Sequence, residues 1–131
     1  MEKIKKKIMI VDDDMDSLSL MKFHVESFGF DTMTADSQKE GEKMIEHEKP
    51  DLAIFDLMME NQDSGFILSY KIKKKYPDVP VIIATAVTAE TGMIFGLDTE
   101  EERNWIKADQ YLEKGIRPDQ LQREINKLLK I

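Results

Sequence analysis

The side chains best equipped for chemistry in this sequence are acidic, and they stand at the ends of apolar runs. "IMIV" (8–11) leads directly into Asp12, Asp13 and Asp14, with Asp16 close behind, and "LAIF" (52–55) ends at Asp56. "VIIA" (81–84) ends at Thr85, and "QYLE" (110–113) is followed by Lys114. Carboxylates gathered on one rim repel, and each raises the pKa of the others unless a cation offsets them. A hard divalent ion with oxygen ligands fits such a cluster. Mg2+ (or Mn2+) tolerates few protein ligands because it keeps several waters.

For residues so far apart in sequence to meet, the runs that precede them must lie side by side. "KIMIV" (7–11) has strand length, and Leu18, Met21, Val25 and Phe28 follow at helical spacing, with Gly29 as the stop. "FDTMTA" (30–35) alternates like a half-exposed strand, and "SQKE" (37–40) is a capping box opening a second helix that must end before Pro50. "DLAIFD" (51–56) reads as a third strand, Ser64–Tyr76 as a third helix and "VPVIIATA" (79–86) as a fourth strand. Thr99 and Glu102 form another capping box, predicting a helix over 99–107 after an extended loop at 87–98. "QYLE" is a short fifth strand, and Pro118 can begin a last helix with Leu121, Ile125, Leu128 and Leu129 on one face. Strand then helix, repeated, predicts an α/β fold: a doubly wound five-stranded parallel sheet with helices on both faces. Ligands in such folds sit beyond the carboxyl ends of the strands. Asp12, Asp13, Asp56, Thr85 and Lys114 are therefore predicted to share one rim.

Composition narrows the function. A chain of 131 residues that is 41% apolar and 34% charged fits one domain, 1–131. No apolar run approaches a membrane span and the N-terminus lacks a signal-peptide core, so a cytoplasmic protein with no membrane partner is expected. The absence of cysteine excludes disulfides, thiol catalysis and zinc–thiolate sites. A net charge of −7 argues against direct nucleic-acid binding, and the "KIKKK" clusters at 3–7 and 71–75 are read as solvated surface.

The combination of an acidic pair after the first strand, an aspartate after the third, Thr-Ala after the fourth and an aromatic three residues before a lysine in the fifth resembles the receiver domain of bacterial two-component response regulators. The likeness runs from Lys7 to Leu129. It implies the flavodoxin-like strand order 2-1-3-4-5, with Asp13 and Asp56 as direct Mg2+ ligands, Asp12 as a ligand through water and the Met58 backbone carbonyl as a third protein ligand. Asp56 would take a phosphoryl group from the phosphohistidine of a sensor histidine kinase or phosphotransfer protein. Lys114 and Thr85 would contact the phosphoryl oxygens, and Thr85 with Tyr111 would form a switch toward a downstream protein target. A homodimer through 99–129 is a further expectation, as is an output face centred on 87–107 that includes Trp105. No output domain is expected within the chain.

The same residues admit other roles. Asp14 and Asp16 suit a helix N-cap and a first-turn charge, and the scattered methionines suit core gaps. A calcium loop fails because its glycine position holds Ser17 and its terminal glutamate position holds Phe23. A haloacid-dehalogenase-like phosphotransferase would use Asp12 as nucleophile, but would leave Asp56 without a role. A degenerate receiver acting as a constitutive binding module is the remaining alternative.

Three departures from the receiver pattern stand out. Glu60 occupies the position where the family usually has proline, with one extra residue before Gly65. Gly115 stands where proline commonly follows the lysine, so Lys114 is expected to be held differently. The segment between the fourth and fifth strands is several residues longer than usual. Separately, the resemblance places Met58 and Val87 beside the route of attacking water; both are apolar, so dephosphorylation should be slow.

Overall fold

The computed structural model describes residues 5–61, 63–85 and 108–131. Its elements are β1 (Lys7–Val11), α1 (Met15–Ser27), β2 (Asp31–Ala35), α2 (Gln38–His47), β3 (Leu52–Asp56), α3 (Ser64–Lys75), β4 (Val81–Thr85), β5 (Gln110–Glu113) and α4 (Pro118–Leu129). All strand pairs are parallel and the order is β2-β1-β3-β4-β5, as expected. The helix expected at 99–107, the 87–98 loop, Val87 and Trp105 lie outside the described residues.

Side chains alternate across the sheet because successive residues of a strand point to opposite faces. Met9, Val11, Phe55 and Ile83 face Ile45 of α2 and Leu68 and Ile72 of α3. Ile8, Ile10, Ile54 and Ile82 face Leu18 and Val25 of α1 and Leu121 and Ile125 of α4. Each fully buried side chain of this kind contributes roughly 1.5–3 kcal/mol, so the central strands are fixed by two opposed layers. β2 is an edge strand, which explains its half-exposed pattern.

Element ends follow local chemistry. The β4 ladder starts at Val81, two residues later than the apolar run suggested, because the Val79 amide donates to the Tyr76 carbonyl at 3.1 Å and Pro80 has no amide. α3 stops at Lys75, with Tyr76 held away from helical geometry before Pro77. The methionines divide: Met9 is buried in the core, whereas Met15 and Met58 are largely exposed, so the core-filling role expected of the set does not extend to them. The lysines at 71–75 are drawn into ion pairs, Lys71 with Glu42, Lys75 with Glu46 and Lys73 with Asp109. Among the described residues no helix is long and apolar enough to cross a membrane.

Candidate functional site

The register of β1 on β3 sets Val11 beside Phe55, so the residues that follow, Asp12 and Asp56, leave the sheet as neighbours. The ladder holds both ends firmly: the Asp12 amide donates to the Ala35 carbonyl at 3.2 Å, and the Leu57 amide to the Ala84 carbonyl at 3.1 Å. Asp12 and Asp56 retain only 7% and 6% of their exposure, while Asp13 is open to solvent. Oxygens of the three carboxylates lie within 4.8 Å of one another. Asp14 takes no part: its Oδ1 accepts from the Asp16 and Ser17 amides as the N-cap of α1, and its own amide donates to Asp12 Oδ1 at 2.9 Å.

Lys114 reaches this rim from the end of β5. Its amide donates to the Thr85 carbonyl at 2.7 Å, and its Nζ lies 3.0 Å from Asp12 Oδ2 and 3.1 Å from Asp56 Oδ1. The following turn is made by Gly115 in the left-handed region, φ +91°, and no cis peptide bond occurs among the described residues. A proline could not take this conformation, since its ring fixes φ near −65°. Lys114 is therefore followed by a glycine turn in place of a proline.

Burial, and next the Asp12 carboxylate, push the Asp56 carboxyl up to about 7, against the opposing pull of Lys114. Burial works against the charged Lys114 ammonium too, but contacts with Asp12 and Asp56 outweigh it and leave its pKa above the ordinary lysine value. Three carboxylates against one ammonium leave two negative charges when all are ionised. That charge, and an all-oxygen donor set, match a hard divalent cation.

The other expected residues are placed by strand register and chain position. Thr85 ends β4 opposite Glu113, and Tyr111 pairs with Ile83 two positions earlier, so Thr85 and Tyr111 share a face of the sheet. Tyr111 is half-buried against the core beneath α2 and α3, and burial pushes its hydroxyl up to about 12. Met58 lies two residues beyond Asp56, on an exposed stretch of the β3–α3 loop.

That loop holds two features whose roles the sequence did not disclose. Gly65 donates its amide to the Leu57 carbonyl at 2.8 Å, and a Cβ there would lie 2.6 Å from the Asp56 carbonyl oxygen and 2.9 Å from Leu57 Cα. Only glycine permits this approach of α3 to the backbone of Asp56. Glu60 reaches the start of α2: its Oε1 accepts from the Gln38 amide at 2.7 Å and its Oε2 from the Lys39 amide at 3.1 Å. The capping box expected at 37–40 is thus only half local. Ser37 Oγ accepts from the Glu40 amide at 3.1 Å, while the Glu40 carboxylate lies 3.5 Å from Lys43 and the second acceptor at the helix start is Glu60. A carboxylate arriving from 22 residues away leaves no periodic signal in the sequence.

Comparison with known proteins agrees with this geometry. The chain is 28% identical, over 127 residues, to the alkaline phosphatase synthesis transcriptional regulatory protein of Bacillus subtilis, covering 97% of this chain and 50% of that protein. It spans about half the length of the curated relatives it matches first. Among solved structures, a CheY-like response regulator receiver domain from Methanospirillum hungatei superposes with a TM-score of 0.81 at 28% identity, covering 97% of this chain and 95% of that one. A response regulator from Thermotoga maritima, solved in complex with Mg2+ and BeF, gives 0.77 at 26% identity, covering 94% of this chain and 98% of the other. The family described as the response regulator receiver domain matches residues 8–126, and with strand order, acidic cluster and lysine in agreement, the chain belongs to that family.

Proposed function

We propose that this receiver domain accepts a phosphoryl group on Asp56 in a Mg2+-dependent step and thereby switches a protein-interaction face. The observation that carries the reading is the meeting of Asp12, Asp13 and Asp56 within 4.8 Å, with the Lys114 ammonium 3.1 Å from Asp56. Asp13, Asp56 and the Met58 carbonyl are the ligands we assign to Mg2+ or Mn2+, with Asp12 acting through water. The ion, when bound, neutralises charge on the phosphoryl oxygens.

Asp56 supplies the nucleophilic oxygen. Its Oδ–P bond forms as the P–N bond of a phosphohistidine breaks, and the imidazole nitrogen takes up a proton. Little covalent assistance is needed, since positioning and charge neutralisation dominate such transfers. Lys114 turns from holding two carboxylates to pairing with phosphoryl oxygens, and the Thr85 hydroxyl donates to another. Movement of Thr85 toward the phosphoryl group draws Tyr111, on the same sheet face, inward. The partners are a sensor histidine kinase or phosphotransfer protein upstream and a protein target downstream, and self-association through 99–129 belongs to the same proposal.

The test is intact-mass measurement after incubation with a small acyl phosphate and Mg2+. Wild type should gain the mass of one phosphoryl group, and Asp56→Ala should gain none. Equal labelling of both would overturn the assignment.

A further inference from the structure

We propose that Glu60 is a positioning residue for the metal-binding loop, clamping the segment that carries the Met58 carbonyl to the start of α2. The proposal rests on the assignment of that carbonyl as a ligand. Leu57–Asn61 and Asp63–Gly65 are braced against each other. The base of this loop is the Gly65 amide donating to the Leu57 carbonyl at 2.8 Å, and its tip is folded by the Met59 amide donating to the Asn61 carbonyl at 3.0 Å. Ser64 Oγ braces the same tip, accepting from the Asn61 amide at 3.0 Å and donating to the Asn61 carbonyl at 3.1 Å. Met58 stands between base and tip.

Among the described residues of this loop, Glu60 and Asn61 reach across to the start of α2. Glu60 takes the Gln38 and Lys39 amides, and Asn61 Nδ2 donates to Gln38 Oε1 at 3.0 Å. A helix start has unpaired amides and a positive dipole end, so a carboxylate is held there by charge as well as by hydrogen bonds. Ser37 caps the Glu40 amide independently, so the helix start and the loop tip can be perturbed separately. The loop, anchored below by buried Leu57 and by Met59 packed against the core, is thereby also tied to a helix that is itself fixed on the sheet through Ile45. Loss of the tie would loosen the segment that has to present the Met58 carbonyl to a metal held by Asp13 and Asp56.

The experiment measures Mg2+ binding by calorimetry, with Mn2+ as second probe, for wild type, Asp13→Asn, Glu60→Ala, Glu60→Gln and Ser37→Ala. Amide hydrogen exchange is recorded on the same proteins without metal. Asp13→Asn should abolish binding, Glu60→Ala should weaken it about tenfold and Glu60→Gln by less, as is typical for residues that orient a ligand. Ser37→Ala should bind within about twofold of wild type, because it frays the helix without releasing the loop. Exchange should quicken at Gln38, Lys39 and Met59 in Glu60→Ala, but chiefly at Glu40 in Ser37→Ala. Wild-type affinity in both Glu60 variants would overturn the proposal alone, as would equal weakening by Ser37→Ala. Absence of Asp13-dependent binding in wild type would overturn the metal-site reading and this proposal with it.

Discussion

Lys114 Nζ lies 3.1 Å from Asp56 Oδ1 while also lying 3.0 Å from Asp12 Oδ2, so one ammonium holds two buried carboxylates together. Without a metal, this lysine is their local counterion. It is also a cation that Mg2+ must partly displace.

Replacing Lys114 with methionine should therefore destabilise the metal-free protein by about 2 kcal/mol, since the carboxylates would face each other unpaired. Added Mg2+ should restore much of that loss. Urea denaturation of wild type and Lys114→Met, in chelator and in excess Mg2+, checks both statements. An equal deficit under the two conditions would contradict them.

Protonation gives a second handle. With the Asp56 carboxyl pushed up to about 7 by burial and Asp12, the folded chain binds a proton there more tightly than the unfolded chain does. Its contribution to metal-free stability is fully present below the ordinary carboxylate range, about pH 4, and is lost as pH rises through about 7. Mg2+ competes with that proton. Affinity should be nearly flat above about pH 8 and should fall by up to about tenfold per unit of acidification below 7. Calorimetric titrations across this range, with proton release followed in two buffers of different ionisation enthalpy, provide the measurement.

The turn after Lys114 predicts an unusual result. Gly115 has φ +91° and nothing within 4 Å of the place a Cβ would occupy, so Gly115→Ala meets backbone strain without a steric clash. That strain should cost about 1 kcal/mol. Gly115→Pro, which would make this position resemble the family pattern, should cost more, about 3 kcal/mol, because proline cannot adopt positive φ. Both variants should slow phosphorylation of Asp56 by a small acyl phosphate, the proline variant more, as read by denaturation curves and initial labelling rates.

The site's rim was legible in the sequence because each of its residues ends an apolar run, and parallel strands must deliver such residues to one edge. Asp12, Asp13, Asp56 and Lys114 follow from that rule, and Asp14 as an N-cap follows from local helix chemistry. Strand order was legible only through resemblance, since apolar runs do not state which neighbours they choose. Glu60 and Gly65 were visible as departures, but their roles depend on contacts between the β3–α3 loop and either α2 or the Asp56 backbone. No local pattern encodes those contacts. β4 starts later than its apolar run for a related reason: hydropathy cannot register that the Val79 amide is already used in a turn.

The most direct test of the central claim locates the phosphoryl group chemically. Reduction of an aspartyl phosphate with borohydride converts that residue to homoserine, which peptide mapping by mass spectrometry places in the chain. After incubation with a small acyl phosphate and Mg2+, conversion should appear at position 56 and should be lost when Mg2+ is chelated. Conversion at position 12 or 13, or labelling at 56 that ignores the metal, would contradict the account.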